Sequence, residues 1–211
     1  MPKATLDRFE QRKLTRAKLI DAALKLFSTS GYEHATVDDI SREAGYSKGA
    51  YYFHFSTKDD ILMELLRMWT EDRTTVLAAA EGEATSADAL GDVLARFFTY
   101  DEQPRWPAVL LEFWAQAVRN AEVSKRLTQA YATWRGQLAT AFAQAADVGA
   151  IGLESAQDAA AVALAAHDGY AVQVAITPSG GRTPMTASDL AASIVAPLTA
   201  ERVAERRAAA R

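Results

Sequence analysis

From Thr36 to Lys58 the chain reads TVDDISREAGYSKGAYYFHFSTK, a stretch dense in groups able to touch a phosphate backbone. Ser47, Lys48 and Gly49 fall where a short helix would begin. Free backbone amides and the positive end of the helix dipole attract phosphate at such a start. Gly49 also removes a side chain where a helix must approach a partner closely. Tyr51, Tyr52 and His54 offer hydroxyls and a ring nitrogen for phosphates, or apolar edges for thymine methyls. Thr36 opens the preceding helix, and Lys58 stands at the start of the next, positioned for the backbone. Tyr51 and Phe55 are also core candidates, because one of these adjacent aromatics must face inward. His34 reads as a surface loop residue. Arg8, Arg12, Lys13 and Arg16 suit a DNA-reaching arm and a solvated tail equally well.

Other chemistries find little support. The chain has no cysteine, which excludes a disulfide scaffold, a thiolate zinc site and a cysteine nucleophile. His34, His54 and His167 are scattered, with no metal-ligand spacing among them. No catalytic residue, metal site or cofactor is expected. Net charge is −4, yet ten Lys and Arg face seven Asp and Glu through Lys58, against thirteen and twenty beyond it. A basic head on an acidic body suits DNA binding by one end. The N-terminus lacks an apolar run after its charges, and apolar stretches are broken before the ~20 residues a bilayer requires. The reading is of a cytoplasmic protein with no membrane partner.

The elements that position these residues are helical throughout, about nine in all. Ala17, Ile20, Leu24 and Phe27 mark one face of a first helix ending at Gly31. Thr36 and Asp39 have capping-box spacing for a second, with Val37, Ile40 and Ala44 as its stripe. Gly45 turns the chain, and Ser47 caps a third helix through about Phe53. Thr57 and Asp60 cap a fourth, carrying Ile61, Leu65, Met68 and Trp69. Leu90, Val93, Leu94, Phe97 and Phe98 mark a fifth. A sixth runs from about Pro107 to Asn120, a seventh from Glu122 to Ala146, and an alanine-rich eighth from Ser155 to Ile176. A ninth starts near Ser188 and is kinked or ended by Pro197. The fold expected is all-α, with a three-helix helix-turn-helix unit over residues 1–56 and a larger helical domain over 57–211. The Arg-rich tail from Arg202 is expected to fray.

In the string AGYSKGAYYFHFSTKDDIL, and in the first helix ending at Gly31 and the Thr36–Asp39 entry, the chain resembles the TetR family of bacterial repressors. The specific resemblance covers roughly the first seventy residues, with LEFWAQAVRN resembling a segment of many members' ligand domains. Ser41, Tyr46 and Tyr51 depart from the commoner residues at their positions. The resemblance implies a homodimer that binds a palindromic duplex operator, with helices five to seven enclosing an inducer pocket and helices eight and nine pairing between subunits. Candidate pocket walls are Trp106, Phe113, Trp114, Tyr131 and Trp134, with His167 and Tyr170 as polar tips for the ligand. Such walls favour a small apolar or aromatic inducer. Ordinary core packing accounts for the same aromatics. Ile194 and Leu198 are the candidate dimer seam. A helical enzyme with a hydrophobic substrate, and a DNA-binding protein without a ligand, are the competing readings.

Overall fold

The computed structural model describes residues 8–101, 103–178, 181, 185–199, 204 and 208. Their order is α1 (Arg8–Ser30), α2 (Val37–Glu43), α3 (Lys48–His54), α4 (Lys58–Ala79), α5 (Ala87–Phe98), α6 (Trp106–Ala117), α7 (Ala121–Asp147), α8 (Ala156–Ile176) and α9 (Ala187–Val195). A 3-10 turn at Ala196–Leu198 follows. The all-α expectation holds among the described residues, with one isolated bridge between Ile151 and Thr199. The Arg-rich tail lies outside the described residues, apart from Ala204 and Ala208.

Caps in the sequence set most boundaries. Thr36 accepts from the Asp39 amide while Asp39 accepts from the Thr36 amide, and the same reciprocal box occurs at Thr57–Asp60. Each box satisfies two amides that the first helical turn leaves unpaired. A third box at Thr186–Asp189, not anticipated, starts α9. Pro197 ends α9 in the 3-10 turn, as expected from its missing amide. Gly31 stops α1 with φ +82°, a left-handed conformation that glycine adopts without penalty.

The stripe on α1 differs from the expected one. Leu19, Ile20, Ala22, Ala23 and Phe27 are buried, whereas Ala17 is exposed. Ala17 lies off the row of four-residue steps through Leu19, Ala23 and Phe27, and that row faces the core. In the larger unit α9 packs chiefly on α5, and α8 on α7. Arg73, buried on α4, donates to the Phe97 and Thr99 carbonyls, placing a cation at the C-terminal end of α5.

One sequence expectation is corrected. α8 is long and apolar enough, by length and composition, to cross a bilayer. Its inner side is buried through Ala160, Ala163, Leu164, His167, Tyr170 and Ala171. Val162, Ala165, Gly169, Val172 and Ile176 are exposed at steps of three and four. The apolar character of α8 therefore comes from two opposite faces, of which the chain itself covers one.

The joint between α1 and α4 is ionic. Glu64 accepts from Arg16 on α1 at 2.9 Å and from Arg67 at 2.7 and 3.1 Å. Hydrogen bonds from Arg67 and then Arg16 hold its carboxyl down to about 2. A carboxylate held below its unfolded value stabilises the fold above that value and loses this contribution as pH falls through the folded one. We predict that Glu64→Gln lowers the melting temperature at pH 7, and that its deficit shrinks between pH 4.5 and 2. A pH-independent deficit in thermal melts would refute the ionic role.

Candidate functional site

α3 has seven residues, so its outward face follows from which side chains are pinned inside. Tyr51 is fully buried and donates from its hydroxyl to the Thr57 carbonyl at 2.8 Å. Phe55 is buried one turn on, its ring 5.7 Å from that of Tyr51. Tyr52 and Phe53 are then turned outward, with 56% and 62% of their surface exposed. Tyr51 is thus corrected from a contact candidate to the packing pin of the helix. Burial pushes its phenol upward, so the hydroxyl stays protonated and donating.

The remaining candidates divide by what their polar atoms already do. Lys48 and Gly49 are exposed in the first turn of α3, and Lys48 pairs with Asp38 at 2.5 Å. That pair is open to solvent on both sides, so a phosphate can displace the aspartate at small cost. Ser47 and Thr36 accept amide hydrogens as helix caps, which orient both hydroxyls within the corner. Lys58 has an internal partner: its ammonium donates to the Tyr32 carbonyl at 2.7 Å and lies over the Tyr32 ring. It clamps the α1–α2 loop to the start of α4. His54 is half-buried beside Phe53, and desolvation followed by the Arg16 and Arg12 charges holds its pKa below the usual histidine value. It is therefore largely neutral near pH 7.

Sequence reasoning missed Phe53 as a surface group. The four-residue step between Tyr51 and Phe55 was the available signal, since one inward row leaves residues 52 and 53 outside. Arg12 lies over the Phe53 ring at 5.0 Å, which brings α1 to the rim of the same surface. Ser41 is buried and bonds the Val37 carbonyl at 2.7 Å. Gly45, φ +75°, makes the corner, with the Tyr46 amide donating to the Ser41 carbonyl.

Of the two readings left open for the aromatics of the larger unit, pocket wall and ordinary core, Phe113, Trp134 and His167 take the core one. Phe113, Trp134 and His167 are almost fully buried. Trp134 stands edge-on to Trp69 at 4.9 Å and donates to Thr74 Oγ1 at 3.0 Å. His167 Nε2 lies 2.7 Å from the Tyr100 hydroxyl, and Nδ1 lies 3.3 Å from Asp168. Tyr131 donates to Asp168 at 2.7 Å and accepts from Trp114 at 3.1 Å. These polar tips have internal partners, as buried polar groups require. Trp106 and Tyr170 do border clefts: Trp106 the one between α1, α4 and the α5–α6 loop, Tyr170 the one between α5 and α9. Ile194 and Leu198 are half-buried against their own chain, and the Leu198 carbonyl accepts from Gly152 at 2.7 Å.

Residues 19–65 match the family model for bacterial regulatory proteins of the tetR family, and residues 86–200 that for the BetI-type transcriptional repressor C-terminal domain. This chain belongs to the TetR family. Relatives include the Bacillus subtilis regulator YwcC, 50% identical over 56 residues covering 26% of this chain and 25% of that one. The Mycobacterium tuberculosis repressor Rv1474c is 34% identical over 120 residues, 57% of this chain and 58% of that one. This TetR-family chain therefore spans from a quarter to under three-fifths of these relatives' lengths. Among solved structures, a TetR regulator of Haloarcula marismortui has TM-score 0.73 at 22% identity, covering 88% of this chain and 98% of that one. Bacillus subtilis FadR with stearoyl-CoA has TM-score 0.68 at 19% identity, covering 87% and 97%. A Saccharomonospora viridis regulator with choline has TM-score 0.68 at 21% identity, covering 86% and 94%. These likenesses establish the fold.

The geometry of α3 in this TetR-family protein separates two adjacent tyrosines. Tyr51→Ala is predicted to cost about 3–5 kcal/mol of stability, the range for emptying a packed aromatic site. Tyr52→Ala should stay within ~0.5 kcal/mol of wild type, as exposed substitutions do. Urea unfolding of both variants checks the assignment, which is wrong if the costs are similar.

Proposed function

We propose that this protein is a homodimeric repressor that binds a palindromic duplex operator through α3 and leaves it when a small, mostly apolar molecule binds. The helix-turn-helix unit is residues 1–56, and the ligand-binding and dimerisation unit is residues 57–211. One observation carries the DNA reading. With Tyr51 pinned inward, α3 presents Lys48, Gly49, Tyr52 and Phe53 together on its free side. That is the face a recognition helix lays into a major groove. A DNA-bound protein of this kind works in the cytoplasm.

Release requires that the larger unit move α3. Two polar contacts tie it to α1 and the α1–α2 loop, Arg105 with Asp21 at 3.3 Å and Gln116 with Glu33 at 3.0 Å, and Glu112 packs close to Gly31. A side chain at Gly31 would meet the Glu112 carboxylate at 3.1 Å, so the fit leaves little slack. Ligand favouring a different placement of α6 or α4 would change the separation of the two α3 helices in a dimer. The FadR complex with stearoyl-CoA and the other regulator's choline complex show that this fold accommodates different ligand chemistries. The apolar reading rests on the aliphatic side chains, Leu77, Val93 and alanines, that border the cavity between α4, α5 and α7.

For the dimer, the exposed stripe Val162, Ala165, Gly169, Val172 and Ile176 on α8 is the better seam. Ile194 and Leu198 are already half-covered by their own chain. Small residues between larger apolar ones allow two helices to approach closely.

Gel-shift titrations at two salt concentrations test the DNA reading. Lys48→Ala should weaken binding and reduce the salt slope by about one unit, the loss of one phosphate contact. Unchanged affinity and slope would remove α3 from the interface. Ile176→Arg should give monomers or aggregates by light scattering, because an unpaired charge enters the seam. A stable dimer of that variant would rule the α8 seam out.

A further inference from the structure

Gln137 on α7 holds an unmet acceptor. Its Oε1 is buried with no hydrogen-bond partner among the described residues, although its Nε2 donates to the Thr74 carbonyl at 3.2 Å. The Thr74 carbonyl fixes which way the amide points, since a flipped amide would set two acceptors face to face. What Gln137 needs is therefore a donor. A buried polar group in this state marks a place where something else completes the pair.

Gln137 borders a partly open cavity of about 110 Å³ between the end of α4, α5 and α7, whose wall sets Leu77, Ala80, Val93 and Ala141 beside the exposed Glu81. Thr140 and Gln144, also on its wall, already donate to the Gly136 and Gly82 carbonyls. The cavity exceeds the ~30 Å³ that a water molecule occupies, and is smaller than the ~150 Å³ engineered cavity that takes up benzene. One ring or a short chain is the size that fits.

We propose that this cavity seats the ligand, and that the ligand is a compact apolar molecule donating one hydrogen bond to Gln137 Oε1, such as a phenol or short alcohol. The inference rests on reading the protein as ligand-responsive, and it names the chemistry of that response. An anion is disfavoured, because it would bring a second acceptor to Gln137 and a like charge to the Glu81 carboxylate on the same wall. The site also sits at a joint able to transmit its occupancy. Thr74 receives both Gln137 and Trp134 from α7, and α4 runs from there to Lys58, the clamp on the α1–α2 loop.

Calorimetric titration of the full chain with phenol, and with toluene as a ring of similar size lacking the donor, tests this. Wild type should bind phenol. Gln137→Leu should weaken phenol about five- to tenfold, as loss of one hydrogen bond does, and leave toluene unchanged. Ala141→Phe, which fills the cavity, should abolish both. If Gln137→Leu fails to fold by thermal melting, Gln137→Met keeps the length without the acceptor and should show the same pattern. No phenol binding at millimolar concentration would mean that the cavity holds solvent only, overturning the proposal. Equal weakening of phenol and toluene, or of neither, would overturn it too. Gel shifts on the same samples separate the two levels. Protein that binds DNA but ignores phenol defeats this inference alone, whereas protein that binds phenol but no DNA defeats the repressor reading.

Discussion

The inward placement of Tyr51 is the constraint from which the DNA-facing surface follows. A two-turn helix cannot fix its own rotation by cooperativity, since so short a helix is unstable alone. Rotation is set by burying one aromatic ring and tying its hydroxyl to the Thr57 carbonyl. Thr57 also begins the box that starts α4, so one bond fixes both the facing of α3 and the entry of the next helix. Phe55 completes the inward row. Everything attributed to the exposed side of α3, from Lys48 to Phe53, depends on that row staying buried.

The same region shows why the two units cannot move independently. Lys58 and Asp59 hold Tyr32 through its carbonyl and hydroxyl respectively, and Glu64 holds α1 through Arg16. α4 is 22 residues long, about 33 Å at the usual rise. Its first two turns pack on α1 and the α1–α2 loop through Lys58, Asp59 and Glu64, and its end carries Leu77 to the cavity wall near Gln137. A shift at the far end is carried by a rigid element to the clamp rather than absorbed in a linker.

Legibility in the sequence followed the length scale of each constraint. Caps and turns are local, so Thr36, Ser47, Thr57, Gly31 and Gly45 could be placed from a few neighbours. The facing of α3 was half legible. The choice between Tyr51 with Phe55 and their neighbours needed the core against which they pack. The internal bond of Lys58 was not legible because its partner, the Tyr32 carbonyl, is 26 residues away and carries no side-chain signal. In the larger unit, aromatic spacing revealed which helix faces are apolar but not whether they meet each other or a cavity. Trp134 and Phe113 meet other rings, whereas the cavity borders Leu77, alanines and Val93, which the sequence marks only as part of a helix stripe. The outer stripe of α8 was hidden for another reason. On a helix so rich in alanine, both faces look alike until one is covered.

A small cavity is compatible with a full switch only because the protein is proposed to be a dimer. Moving a two-state equilibrium from 1:99 to 99:1 takes about 5.5 kcal/mol of differential binding. Two sites sharing one conformational change divide that into about 2.7 kcal/mol each. A ring-sized ligand has a ceiling near ~1.5 kcal/mol per heavy atom, so its total binding free energy need be only partly differential. Under the proposal the difference comes from one hydrogen bond to Gln137 and the fit of one ring between α4 and α7, both of which depend on the spacing of those helices. By reciprocity, operator DNA must weaken ligand by the same total factor across the two sites. The ligand contact and the DNA clamp therefore belong at opposite ends of one rigid helix, where a change of spacing is felt by both.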